Sequence, residues 1–153
     1  MLWAVPSQAQ QRQAPAAAPA APTPDPLLVS RLVWSTLSAL DHANRTGNYS
    51  VLRDLGAPEF QAKNNAATLA QIFQGFRDQR IDLTSVLLVT PSYEFQPAIV
   101  QGGLLRVRGL FPLRPTAIRF DLLFQQVDSQ WRIYGIAVQP APAPAAPPPP
   151  PAR

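Results

Sequence analysis

Residues 117–127 read Ala-Ile-Arg-Phe-Asp-Leu-Leu-Phe-Gln-Gln-Val. Successive side chains of a strand point to opposite faces. That alternation puts Ile118, Phe120, Leu122 and Phe124 on one face and Arg119, Asp121, Leu123 and Gln125 on the other. The same period runs through residues 104–111, with Leu105, Val107, Gly109 and Phe111 opposed to Leu104, Arg106, Arg108 and Leu110. In residues 131–138 it sends Tyr134, Ile136 and Val138 one way and Trp131, Ile133 and Ala137 the other. Asp128-Ser129-Gln130 reads as a tight hairpin linker and residues 111–115 as the turn before it. Residues 86–90, closed by Pro91, read as a further short apolar strand.

Upstream of Ile81 the period is helical. Leu28, Val29, Leu32, Val33, Thr36, Leu37 and Leu40 recur at spacings of three and four, with Trp34 beside the stripe. Asp25 is the expected cap, Pro26 the first helical residue, and Asn44–Gly47 the stop. A short segment, 49–55, carries Val51, Leu52 and Leu55 on one side and ends at Gly56-Ala57-Pro58. Asn64 or Asn65 caps a third helix with Leu69, Ile72, Phe73 and Phe76 in phase. Gly75 within it costs about 1 kcal/mol relative to Ala and suggests close packing. Helices followed by an antiparallel meander predict an α+β domain, three N-terminal helices packed on one face of the sheet.

The chain has 153 residues, and 14 of its 19 prolines lie outside residues 27–139. A hydrophobic core therefore belongs to 27–139. Residues 10–26 are Ala, Pro and Gln with almost no charge, and residues 140–153 are Ala and Pro with one terminal Arg; neither composition can offset its ordering entropy. Consecutive prolines in 140–153 favour polyproline II, a semi-rigid spacer or a peptide that docks an aromatic-lined groove of an envelope protein. Residues 1–9, MLWAVPSQA, resemble the end of a secretory signal peptide cleaved after Ala9, without the basic start and long apolar stretch of a complete one. The expectation is a periplasmic or secreted protein whose true start lies upstream.

Composition excludes several chemistries. The chain has no cysteine and one histidine, His42, which removes disulfides, thiolate sites and paired imidazoles. Residues 27–139 carry 11 Lys/Arg against 8 Asp/Glu, too small an excess for a nucleic-acid footprint. No apolar run reaches the roughly 18 residues of a membrane span. Gly102-Gly103 precedes a strand rather than a helix and reads as a bend, and neither a metal-ligand spacing nor a cofactor fingerprint occurs.

Helices followed by a long strand, an Asp-containing turn and Trp131-Arg132-Ile133-Tyr134-Gly135-Ile136 resemble the nuclear transport factor 2-like superfamily, with its cone-shaped, cystatin-like sheet. The run Asn44-Arg45-Thr46-Gly47-Asn48-Tyr49 and the segment Phe120–Phe124 with Val127-Asp128 carry the likeness, which covers residues 27–139. The resemblance implies a strongly curved sheet, and an acid inside the cone in the members that are enzymes. Fold alone does not assign activity, because the superfamily also holds non-catalytic binding and dimerising modules.

Three residues are candidates for acid–base work: Asp41, His42 and Asp121. Asp41 and His42 are adjacent, about 100° apart on a helix, so they do not face each other, and a histidine near a helix C-terminus is favourable without catalysis. Asp121 shares a strand face with Arg119, and Arg106, Arg108 or Arg132 can reach it from neighbouring strands, so a cross-strand ion pair accounts for it. Tyr49, Phe60, Phe73, Phe76, Phe120, Phe124 and Tyr134 are expected to line or fill the cone. Arg106, Arg108, Arg119, Leu123, Trp131 and Ile133 mix guanidinium with large apolar groups on the other sheet face, a pattern suited to a homodimer interface. The expected role is a non-catalytic binding or interaction module without cofactor or metal. A small cone-pocket enzyme of isomerase, dehydratase or cyclase type, and a carrier of an apolar molecule, are the alternatives.

Overall fold

The computed structural model describes residues 24–145. The expectations for residues 1–23 and 146–153, the signal remnant and most of both Pro-rich segments, lie outside the described residues. The chain is α+β, with helical segments followed by an antiparallel sheet.

Helix α1 spans Pro26–Thr46 with both expected caps. The Asp25 carboxylate accepts from the Leu27 N–H at 3.1 Å, and Pro26 takes a position whose N–H has no partner to lose. Pro26 is thus the first helical residue, one position before the domain boundary drawn from composition. Gly47 ends the helix at φ 75°, and its N–H donates to the Ala43 carbonyl at 2.8 Å. Val29, Val33, Leu37 and Leu40 form the buried stripe.

The rest of the helical half is more broken than the pattern predicts. Four short helices follow: α2 (Ser50–Asp54), α3 (Pro58–Lys63), α4 (Ala66–Ile72) and α5 (Gln74–Asp78). In α2 only Leu52 is buried, and Val51 is 63% exposed. The expected third helix starts at the Asn65 cap but divides at Phe73 into α4 and α5. Leu69, Phe73 and Phe76 still face the core, while Ile72 turns outward. Nothing packs tightly on Gly75, where an added Cβ would meet only Gln79 Nε2 at 3.8 Å.

Residues 86–90 do not form a strand. Thr84–Leu88 is a 3-10 turn. The Asp82 carboxylate accepts from the Thr84 N–H at 2.9 Å and the Ser85 hydroxyl at 2.7 Å. This local side-chain turn overrides the β preference of Val86 and Val89.

The sheet contains β1 (Ser92–Tyr93), β2 (Ala98–Val100), β3 (Leu104–Phe111), β4 (Thr116–Val127) and β5 (Gln130–Pro142). β4 lies between β3 and β5, and β1 and β2 both pair with the other edge of β3. Asp128 and Ser129, at φ 48° and 63°, make a two-residue turn between β4 and β5, with Val127 opposite Gln130. β5 runs on through Pro142, so residues 140–142 belong to the sheet rather than to the Pro-rich tail.

Alternation holds along β3 and β4, whose residues Leu105, Val107, Phe111, Ile118, Phe120, Leu122 and Phe124 are all buried. It fails once in β5. Phe124 pairs with Ile133 but Leu123 with Gly135, which leaves Tyr134 as a surplus residue in a bulge. Ile133, Ile136 and Val138 consequently all lie on the face of Phe124, Leu122 and Phe120. Ile133 also anchors the α2–α3 link to the sheet edge: its N–H donates to Leu55 O at 3.2 Å, and its carbonyl accepts from Ala57 N–H at 2.8 Å.

Two glycines should respond oppositely to alanine. At Gly109 an added Cβ would lie 2.5 Å from the Ser92 carbonyl and 2.8 Å from Phe120 Cζ. Gly109→Ala should cost on the order of 1–3 kcal/mol in urea unfolding. Gly75→Ala, in an open helical position, should gain about 0.5–1 kcal/mol.

Candidate functional site

The face between helices and sheet is packed with rings. Tyr49, Phe60, Phe73, Phe76, Phe120 and Phe124 are each at most 5% exposed and belong to one core with Phe111. Tyr49 stacks on Phe73 at 6.4 Å and 4°, and Phe111 meets Phe120 at 5.3 Å and 44°. Such pairs contribute about 0.5–1.5 kcal/mol beyond area burial. The expected lining is therefore a filling, with Tyr134 as the exception. Tyr134 is half-buried in the bulge and stands beside α3. There the Glu59 carboxyl is held below its ordinary pKa mainly by hydrogen bonding and charge from Lys63, 2.6 Å away, with a smaller contribution from the Tyr134 hydroxyl.

The opposite sheet face carries a ladder of ions. Arg106 grips Asp121 with Nε at 3.0 Å and Nη2 at 2.6 Å, which raises the guanidinium pKa through that hydrogen bonding first and charge second. Glu94, just after β1, forms ion pairs with Arg108 at 2.9 Å and Arg119 at 3.3 Å, while Arg108 also stands 3.8 Å from Asp121. Asp121 is thus the cross-strand ion-pair residue that its neighbours predict, not an interior acid. Glu94 thus joins Asp121 in relieving the like charges of this face, although the two-residue β1 before it is too short to show a period. Leu104, Leu110 and Leu123 share this face. Trp131 and Ile133 do not: Ile133 is 2% exposed in the core, and Trp131 packs against it, because the bulge shifts their parity relative to Ala137.

A cleft of about 630 Å³ opens at the C-terminal end of α1, against α5 and the turn at Asp82–Thr84. Asp41 lies in its wall, 5% exposed, with Thr84 Oγ1 donating at 3.1 Å and the Arg45 guanidinium at 3.5 Å. His42 is exposed and points elsewhere, as its 100° offset requires. Asp41 and His42 do not form a proton-sharing pair. Sequence reading missed the polar chain beside them. Arg77 lies over the Tyr49 ring, 5.4 Å from its centroid, and donates to the Tyr49 hydroxyl and to Ala70 O at 2.8 Å. The Tyr49 hydroxyl in turn donates to Asn44 Oδ1 at 2.6 Å. Asn44 Nδ2 is buried and has no hydrogen-bond partner among the described residues. A buried donor without an acceptor costs about 1–3 kcal/mol. The run Asn44–Tyr49 was legible only as a helix stop, because its partner Arg77 lies 28 residues beyond Tyr49.

Among the described residues no group of three or more His, Asp or Glu side chains is placed to hold a metal ion, and no helix is long and apolar enough to cross a membrane.

Hydrogen bonds from the Ser85 hydroxyl first, and then from the Thr84 N–H, hold the Asp82 carboxyl below its ordinary pKa. A depressed carboxylate contributes stability above its unfolded pKa and loses it as pH falls through the folded value. Asp82→Ala should cost on the order of 0.5–1 kcal/mol at neutral pH, after allowance for solvent screening. In urea titrations that difference should begin to shrink only as pH falls through the usual carboxylate range, near about pH 4, and should vanish below it.

Compared with protein-family models, with curated proteins and with solved structures, the chain matches none.

Proposed function

We propose that this chain is a non-catalytic interaction module of the cell envelope, nuclear transport factor 2-like in architecture, with its helices packed on a cone-shaped sheet. It associates with a second copy through the outer sheet face. The observation that carries this reading is the division of the sheet into two unlike faces. Among the described residues the inner face is filled by Phe and Tyr rings, which favours an interaction role over a cone-pocket one. Among the described residues no helix covers the outer face, yet two of the four β3 residues on it, Leu104 and Leu110, are leucines.

A second copy suits that face for two reasons. Most of its charge is paired, with Arg106, Arg108 and Arg119 set against Asp121 and Glu94 and only Arg132 without a carboxylate among the described residues, which moderates the repulsion between like faces. The guanidinium groups are already held by carboxylates, which reduces the side-chain entropy lost on association. Leu104, Leu110 and Leu123 then supply the apolar contact. Location in the envelope rests on the signal-like residues 1–9 and on the Pro-rich ends, one of which suits a partner with an aromatic groove.

Light scattering of the full chain at roughly 100 µM, enough to populate any micromolar dimer, tests the association. A dimer is expected, and Leu123→Glu should convert it to a monomer with an unchanged circular dichroism spectrum. A monomeric wild type removes the proposal. A dimer indifferent to Leu123→Glu moves the interface off this face.

A further inference from the structure

We infer that the cleft at the end of α1 is a binding site for a small organic monocarboxylate, distinct from the dimerising face. Its volume of about 630 Å³ lies within the range of small-ligand pockets. Three guanidinium groups line it, from Arg45, Arg77 and Arg80. They differ from the arginines of the sheet in how they are balanced. Among the described residues, neither Arg77 nor Arg80 has a carboxylate within ion-pair distance, and Arg45 alone shares Asp41. Arg77 is held in place by neutral acceptors, the Tyr49 hydroxyl and the Ala70 carbonyl, so its orientation is fixed while its charge remains unopposed.

Asn44 belongs to the same wall. Its carbonyl oxygen is taken by Tyr49, which orients the amide, and its Nδ2 is buried with no acceptor among the described residues. An oriented guanidinium of unopposed charge calls for an acceptor that is negative and has more than one oxygen. Carboxylate and phosphate both qualify. The two acids of the cleft decide between them. Asp41 and Asp82 leave a net charge of one positive unit among the lining side chains, which a single carboxylate neutralises and a phosphate dianion exceeds. Phe76 and Ile81, the apolar members of the lining, suit a short hydrocarbon body.

The test is a titration of the full chain, labelled with nitrogen-15, with sodium phenylacetate, inorganic phosphate and phenylethylamine in parallel. Phenylacetate should shift the Asn44 side-chain amide resonance saturably. Its dissociation constant should fall between about 1 µM and 1 mM. Arg80→Gln, at an exposed position that leaves the Tyr49 chain intact, should weaken that binding by about tenfold, the loss of one charge-assisted contact. Asn44→Asp, which replaces the donor by a like charge, should abolish it. Equal or tighter binding of phosphate or of the amine overturns the assignment of ligand class. An Asn44 amide that does not move with phenylacetate, or an Arg80→Gln protein that binds as the wild type does, overturns the site. None of these readings depends on the oligomeric state.

Discussion

One surplus residue in β5, Tyr134, sets how helices and sheet are joined. A strand alternates with a period of two, so a slip of one position moves its whole apolar set to the other face. Without the bulge, Ile133 could face the helices only if Ile136 and Val138 faced solvent. With Tyr134 set aside, Ile133, Ile136 and Val138 pair with Phe124, Leu122 and Phe120 on one side. The bulged stretch also hydrogen-bonds Ile133 to Leu55 and Ala57, which ties the α2–α3 link to the sheet edge. Gly56 sits between those two attachments, where an added Cβ would collide with the Phe60 ring and lie 2.9 Å from the Arg53 carbonyl. The chain can lie flat on β5 there because that position has no side chain.

Long periodic elements were legible in the sequence, and interruptions of period were not. The α1 caps at Asp25 and Gly47 and the alternation of β3 and β4 are repeated signals, each position supporting the next. The Arg106–Asp121 pair was legible for the same reason, since neighbouring strands restrict which charges can meet. The misreadings come from single residues. Asp82 accepts from Thr84 and Ser85 and converts an apolar run into a 3-10 turn. Phe73 ends one helix and starts another without disturbing the phase of the core residues. Tyr134 changes the parity of everything before it relative to everything after, which took Trp131 and Ile133 off the face to which alternation alone assigned them. The cleft was invisible because its polar chain joins positions far apart in sequence, Asn44 and Tyr49 to Arg77 and Asp41 to Thr84.

Arginine rather than lysine carries nearly all the positive charge of the domain, and the geometry gives a reason. Arg106 uses two nitrogens on the two oxygens of Asp121, and Arg77 reaches a hydroxyl and a carbonyl while lying over a ring. Both arrangements need a planar group with donors in fixed directions, which an ammonium lacks. The two differ in what remains. On the sheet the charge is satisfied and the apolar groups between the ions are free to make contact. In the cleft the geometry is satisfied and the charge is free.

The edges of the sheet narrow the ways in which copies can meet. β5 is paired with β4 on one side, so a proline within it must direct its missing N–H to the open side. Pro140 and Pro142 lie in that strand at alternate positions, opposite Ile118 and Thr116. Two successive outward positions therefore have no donor, and nearer the turn the edge is already occupied by Leu55 and Ala57 at Ile133. The far side of β3 is covered by β1 and β2, of two and three residues, too short to template a further strand. Addition of a strand from another chain is thus obstructed at both edges, while among the described residues no helix lies over the outer face and Arg106, Arg108 and Arg119 are paired with carboxylates. Contact through the face, side chain against side chain, is the route of association that the sheet leaves open.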